Sequence, residues 1–397
     1  MNISKLLSTR VENIRINPFI TDLEKNHEFL NSKINGKKIL VIGGAGTIGS
    51  SYIQQILKFK PSKITVVDIN ENGLTELTRD LRSSNLLDYN PEYITYPVNL
   101  LSDTFDKIYN SEIWQVVANF SAHKHVRSEK DNISVEALIK NNVFGAIKLL
   151  NLCEGIPPSY FFSVSTDKAA NPVNVMGASK SLMEKLILSK KNDFRVSTAR
   201  FANVAFSNGS LLDGFIYRLN KKQPLSCPSD IKRFFVTPEQ SGQICLLATF
   251  LGDSGNIFFP KLDFHKDQIY FKDIALDYLK EKGLEPIHMS SAKDAKEYDI
   301  DSNPGKYPIY FFITDTSGEK TYEEFYTDEE DYNLDKYDSL GFINTPEVKI
   351  SFEEVEAGFD EVFSDLDSVK SDIVKVINKY VPDFMHIETG KHLDQKM

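Results

Sequence analysis

Sulfur is scarce in this 397-residue chain: it has three cysteines, Cys153, Cys227 and Cys245, odd in number and far apart. They form neither a metal-ligand spacing nor a disulfide framework, so no metal site is expected and a reducing cytoplasm is. No run of about 18 apolar residues occurs, which argues against a membrane span. The opening stretch, "MNISKLLSTRVENIRINPF", has no continuous apolar segment ahead of a small-residue cleavage site, so it does not read as a secretory signal. A basic excess is also missing: 46 Lys and Arg stand against 56 Asp and Glu, a formal charge of -10. That disfavours a nucleic-acid partner. It leaves room for an anionic small molecule, because a cleft can be locally basic on an acidic protein. Internal repeats and low-complexity tracts are absent.

What is present is apolar material, 41% of the chain, enough for one large domain or two smaller ones. Residues 1–35 are polar and irregular. They read as a short helical arm on the body or on a neighbouring subunit, with a frayed tail as the alternative. From Lys37 strands and helices alternate. "KKILVIGG", "KITVVDIN", "YITYPVNL", "WQVVANFSA", "SYFFSVST" and "FRVSTARFANV" are strands, with helical segments between them. Several are apolar on both faces, the pattern of a doubly wound parallel α/β sheet. After about Phe206 the alternation breaks down. The expected division is an arm (1–35), a dinucleotide-binding domain (36–205), a mainly substrate-binding smaller lobe (206–345) and a helical segment (346–397). Residues 319–338 carry nine acids against two lysines and read as a solvated face.

"GGAGTIG" lies directly between the first strand and the first helix after it. Gly43 permits the tight turn, Gly46 lets the backbone approach a pyrophosphate, and Gly49 lets helix and strand pack closely. Thr47 and Ile48 open the helix, whose free N–H groups and partial positive charge suit phosphates. Asp68 ends the second strand, 19 residues after Gly49, where an acid receives adenosine ribose hydroxyls. Its charge would repel a 2′-phosphate, so NAD is favoured, while Arg79 and Arg82 one helix away leave NADP open.

The fifth strand ends in Ser165-Thr166-Asp167-Lys168, and side chains leaving such strand ends point into the cofactor crevice. A hydroxyl, a carboxylate and an ammonium therefore arrive together. Met176 and Lys180 follow at i, i+4 and share one helix face. A thioether neither gives nor takes a proton. Lys180 can bond the nicotinamide ribose, and its charge lowers the pKa of nearby acids.

"GGAGTIG", "SAHKHVRSEKDN", "KNNVFGA", "STDKAANPVNVMGASK", "RFANVAFSNGS", "RFFVTPEQ" and "SGEKTYEE" occur in this order. The chain thereby resembles the extended short-chain dehydrogenase/reductases of polysaccharide biosynthesis, specifically the UDP-N-acetylglucosamine 4,6-dehydratases, in a branch with Met at the usual tyrosine position. The likeness covers roughly residues 36–345. The resemblance is to the form without the membrane-spanning N-terminal region of the larger members, so no such region is expected. It departs from them in "SAHKHV" and in "TSGEKTYEE", which leaves the exact sugar open.

The resemblance implies a Rossmann-type fold and a redox-neutral reaction. A hydride leaves C4 of the hexose for NAD, the 4-ketone acidifies the C5 proton, water is lost across C5 and C6, and the hydride returns to C6. The roles implied are Thr166 at O4, Lys168 as base at C5 and Asp167 as acid at O6. Lys168 would then need its pKa lowered, by burial or by Lys180, and Asp167 would need its pKa raised by burial. The O4 proton must leave without a tyrosine, by way of Asp167 through Thr166 or a water.

Around this segment, Ser121 and Ala122 are expected on the nicotinamide side and Lys124 against sugar or phosphate. His123 and His125 are read as packing residues, and Asn142 as bonding backbone near the site or as a helix-surface amide. Asn203, Ser207 and Ser210 offer donors for a diphosphate. Arg233 offers a planar fork for a phosphate, with Arg218, Lys221 and Lys222 as alternatives. Glu319 and Lys320 stay unassigned. A homodimer through the helices near 136–152 and 177–190 is expected. Competing functions are a 5,6-ene former or C5-inverting or epimerising relative on the same site and, in another class, a non-catalytic NAD-sensing protein.

Overall fold

The computed structural model describes residues 2–314 and 323–387, without the side chains of Arg127 and Ser128. Fifteen strands are described. They are β1 Lys38–Ile42, β2 Lys63–Asp68, β3 Glu92–Pro97, β4 Val116–Asn119, β5 Tyr160–Val164, β6 Val196–Ala199, β7 Asn203–Val204 and β8 Leu225–Pro228. After these come β9 Lys232–Val236, β10 Asn256–Pro260, β11 Gln268–Tyr270, β12 Glu285–Met289, β13 Lys306–Phe312, β14 Asp331–Asn333 and β15 Leu340–Asn344.

Nine strands form one sheet in the order β14-β15-β10-β6-β5-β4-β1-β2-β3. The seven from β10 to β3 run parallel, and β15 joins antiparallel. The physical cause is visible in β1: Ile39 and Val41 face one apolar cluster, Leu40 and Ile42 the other. A strand with apolar residues on both faces is stable only where both faces are covered. The first cluster lies under helices Thr47–Leu57 and Pro238–Phe250, the second under the helices between Asn132 and Leu188. The strand order reverses between β1 and β4, and such a reversal opens a crevice at the carboxyl ends of the strands.

The cut expected at 205/206 does not divide the molecule. β10, β15 and helix Pro238–Phe250, all from the later region, complete the large sheet and its cover. Gly242 of that helix lies so close to the Thr47–Leu57 helix that a Cβ would sit 2.4 Å from the Ser51 carbonyl oxygen. The smaller lobe consists of the sheets β11-β9-β7 and β12-β13-β8 with their helices.

The arm is packed on the body. Phe19, Leu30 and Ile34 are fully buried in the first cluster, while Leu7 and Val11 belong to the lobe's own core. Asn13 links the arm to the lobe, its backbone N–H donating to the Asp267 carboxylate and its side-chain amide to the Phe235 carbonyl. The helices expected at a dimer face pack against the C-terminal segment. Phe352, Val355, Phe359, Ile373, Val376 and Ile377 of helices Phe352–Ser364 and Lys370–Tyr380 fill the apolar cluster beneath helices Asn132–Ile139, Gly145–Gly155 and Val175–Leu188.

Candidate active site

The glycine loop is built by three different constraints. Gly43 has φ 72°, and a Cβ there would lie 2.5 Å from the Ser121 nitrogen. Gly49 has the Gly43 carbonyl oxygen 2.4 Å from where its Cβ would be. At both positions the protein's own backbone demands glycine. Gly46 differs: its φ of -73° suits any residue, and a Cβ would meet nothing nearer than the Gly43 oxygen at 3.4 Å. No side chain caps the helix Thr47–Leu57, so its first N–H groups are left for something else. Asp68 accepts from the N–H groups of Ala45 and Asn70, each at 2.9 Å, which ties the loop to the end of β2. Arg79, paired with Glu76, and Arg82 line a separate cavity of about 400 Å³ between helix Glu71–Ser83 and β3.

The exit of β4 is pinned from outside. The helical run after Asn132 is interrupted by a π-turn, Lys140–Phe144. That wider turn aims Asn142 at the loop. Its Oδ1 accepts the His123 N–H at 2.8 Å, and its Nδ2 donates to the His123 carbonyl at 3.1 Å and to Ser179 Oγ at 3.0 Å. Of the two readings of Asn142, the geometry matches the one that bonds backbone. Ser121 and Ala122 stand half-buried beside the glycine loop. His123 loses proton affinity through burial, and the His125 ring packs against Gly209.

At the exit of β5 the polar groups form a chain. Thr166 Oγ1 donates to Asp167 Oδ1 at 2.7 Å, and Lys168 Nζ reaches both Asp167 oxygens at 3.1 Å. Met176 lies in the first turn of helix Val175–Leu188, is 3% exposed and belongs to the second apolar cluster. Its N–H donates to Glu129 at 2.9 Å. Lys180 is buried and donates to the Val164 carbonyl at 2.7 Å. Burial pulls its pKa down to about 8, with Glu184 opposing. Glu184 itself holds Ser165 at 2.5 Å and the Arg200 fork at 3.1 and 2.8 Å.

Lys168 departs from expectation. Burial alone would lower its pKa, but the Asp167 and Glu323 carboxylates outweigh that and raise it. Asn203 and Arg233 depart as well. The Asn203 amide donates to Glu323 Oε1 at 2.5 Å and to the Phe234 carbonyl at 3.4 Å, so its N–H groups are spent inside the protein rather than kept for a diphosphate. Arg233 is buried, its Nε 3.5 Å from Glu323 Oε1. Ser207 is buried and Ser210 caps helix Leu211–Asn220 through the Asp213 N–H. Asn208 donates its N–H to Thr47 Oγ1 at 3.0 Å, which brings this turn over the glycine loop. Phe206, just before it, has φ 55°, a strained conformation for a bulky residue. Lys124 is an exposed loop residue, yet neighbouring protein lowers its pKa, opposed by Asp213 of helix Leu211–Asn220.

The acidic stretch 319–338 is not simply a solvated face. Glu323 has a 2% exposed side chain, Glu324 accepts from Asn171 at 3.0 Å, and Glu330 pairs with Arg200 at 2.9 Å. Glu319 and Lys320 lie outside the described residues. One available signal was overlooked: "ARFANV" and "KRFFV" place arginines in apolar strand segments, and buried arginines need carboxylate partners from elsewhere in the chain.

Residues 39–345 match the sequence profile of a family described as polysaccharide biosynthesis protein. An uncharacterized membrane protein of Methanocaldococcus jannaschii is 33% identical over 313 residues, 77% of this chain and 84% of that one. An inverting UDP-N-acetylglucosamine 4,6-dehydratase of Campylobacter jejuni is 30% identical over 240 residues, 57% of this chain and 68% of that one. Among solved structures, Pen from Bacillus thuringiensis superposes with a TM-score of 0.64 at 23% identity, covering 82% of this chain and 97% of its own. No helix among the described residues is long and apolar enough to cross a membrane.

Proposed function

The chain belongs to the polysaccharide biosynthesis protein family, and from that premise we propose that it is a nucleotide-sugar 4,6-dehydratase acting on UDP-N-acetylglucosamine with NAD. The observation that carries the reading is the hydrogen-bonded chain Thr166–Asp167–Lys168 at the end of β5, with Lys180 on the adjoining helix. The relative from Campylobacter jejuni, named for this reaction, supports the substrate.

The residues fit a dinucleotide. Gly46 is glycine where neither packing nor backbone conformation asks for it, which leaves its surface for a pyrophosphate. The uncapped helix supplies N–H groups, and each Asp68 oxygen keeps a lone pair for a ribose hydroxyl. Gly43, Thr47, Ile48, Ser121, Ala122 and Lys180 complete the proposed cradle. The bound dinucleotide would supply the hydride acceptor for C4 and the donor for C6.

The chain's own groups do the proton work. Thr166 holds O4 and can pass its proton to Asp167 along the 2.7 Å bond. This replaces the absent tyrosine with a hydroxyl–carboxylate relay. Asp167, carrying the proton received from O4, is the acid that protonates the departing O6, and Lys168, in contact with both Asp167 oxygens, is the base at C5 in its neutral form, reached by losing its proton to solvent. Charge and proton count balance: the O4 proton leaves in the water by way of Asp167, and Lys168 returns a proton to C5 as the hydride reaches C6, so both groups end as they began. Met176 takes part in no proton transfer and shapes the wall. Lys124, Ser207 and Ser210 are the proposed substrate contacts.

The test is incubation with UDP-N-acetylglucosamine in D₂O followed by proton NMR. A C6 methyl signal with deuterium at C5 supports the dehydratase; intact substrate in protein shown to hold NAD rejects it.

A further inference from the structure

Glu323 has no part in the chemistry above, yet it sits at the centre of the charges that do. Three chain segments meet on it. Asn203 of β7 donates to Oε1 at 2.5 Å, the Phe234 N–H of β9 donates to Oε2 at 2.9 Å, and Arg233 Nε lies 3.5 Å from Oε1. Asp167 and Lys168 act on it electrostatically from the end of β5. Its remaining side forms part of the wall of a cavity of about 520 Å³, lined also by Phe234, Phe259, Phe325 and Tyr326.

A buried carboxylate is costly unless its partners hold it ionised. Arg233 alone would neutralise Glu323. The Lys168 ammonium, on a side chain 28% exposed, is a second cation in the same field, and Asp167 a second anion, so among the described residues two carboxylates and two cations are clustered there. In such a group the ionisation of each member depends on the others. Burial and the Asp167 charge push the Glu323 pKa up to about 7, while Lys168 and Arg233 pull it down. The influence is mutual: the Glu323 charge favours the ammonium of Lys168 and the Arg233 charge disfavours it.

We propose that Glu323 is a positioning residue for Lys168, whose charge keeps the ammonium seated on Asp167 and sets the pH range over which Lys168 removes the C5 proton. This rests on the dehydratase reading, and the two can fail separately.

The test is the pH dependence of kcat with UDP-N-acetylglucosamine for the wild-type protein, Glu323→Gln and Glu323→Asp. Without the carboxylate, Lys168 gives up its proton more readily. The limb of the profile that rises with pH should therefore move to lower pH by about one unit in Glu323→Gln. It should return toward the wild-type position in Glu323→Asp, which keeps the charge. Equal loss at every pH in Glu323→Gln, with no movement of the limb, overturns the proposal. A second readout needs neither turnover nor those variants. In protein labelled with carboxyl-¹³C glutamate, one carboxyl should titrate near 7. In Lys168→Met its midpoint should rise, because the cation that pulls it down is gone; an unmoved midpoint overturns the proposal. Absence of product at every pH in the wild-type protein, together with a glutamate signal that moves in Lys168→Met, would reject the dehydratase reading while upholding the link between Glu323 and Lys168.

Discussion

The two sides of the crevice are made of different material. On one side, around Gly43, Gly46 and Gly49, the working parts are backbone: a loop with little side-chain volume and a helix end with spare N–H groups. On the other, around Asp167, Lys168, Arg233 and Glu323, they are charges that balance one another, buried except for Lys168, whose side chain is 28% exposed. The first side can be built from a short stretch of sequence. The second needs residues from four segments brought together by the sheet and the lobe. Backbone sites work by shape and survive changes of pH, whereas a charge cluster is a titrating device.

The largest effects should therefore come from the charged side. Asp167→Asn and Lys168→Ala should each lower turnover at least about a hundredfold, as loss of a general acid or base does. Met176→Ala should act mainly through lost packing, about 2–5 kcal/mol of stability for a buried methionine, with a milder loss of turnover. Steady-state rates and thermal melts together separate the two kinds of damage. A Met176→Ala variant as inactive as Asp167→Asn, yet folded, would give the thioether a part in the chemistry.

The next contrast lies within the glycine loop. Gly49→Ala should destabilise the fold by about 1–3 kcal/mol, since its Cβ would overlap the Gly43 carbonyl. Gly46→Ala should leave the melting temperature near that of the wild type and weaken NAD binding by tenfold or more, measured by calorimetry. A Gly46→Ala variant that binds NAD normally would remove the pyrophosphate from that loop.

The smallest effect separates the sides by pH. Lys180 titrates near 8 in the folded chain against 10.5 as an ordinary lysine. Below about 8 both states hold the proton and the cost of burying the charge is present in full. As pH rises from about 8 toward 10.5 the folded chain sheds the proton first, so the wild-type protein should gain stability relative to Lys180→Met. Thermal melts of both across that range should show the difference move in the wild type's favour. A difference that stays constant would mean Lys180 is not desolvated.

Much of this architecture was legible in the sequence for a physical reason. Strands such as "KILVI" are apolar on both faces and announce a covered parallel sheet, and the glycine spacing is a local requirement of one turn. The order of residues from Ser165 to Lys180 was local as well. What stayed hidden was tertiary. Glu323 sits in an acidic run whose composition resembles a solvated surface, and only its distant partners Asn203 and Arg233 explain its burial. The C-terminal helices were readable as helices, but not as the cover for Val135, Leu138 and Leu182, because an amphipathic pattern does not name its partner. The raised pKa of Lys168 was missed for the same reason: its second carboxylate comes from 155 positions later in the chain.

The most direct measurement is proton NMR of UDP-N-acetylglucosamine turned over in D₂O by the NAD-loaded wild-type protein. A new C6 methyl signal, with deuterium at C5 and no net change in the cofactor's redox state, is the expected result. Unchanged substrate, or hydride transfer that stops at the 4-ketone with C5 still protonated, would contradict a site in which Asp167 and Lys168 perform the elimination.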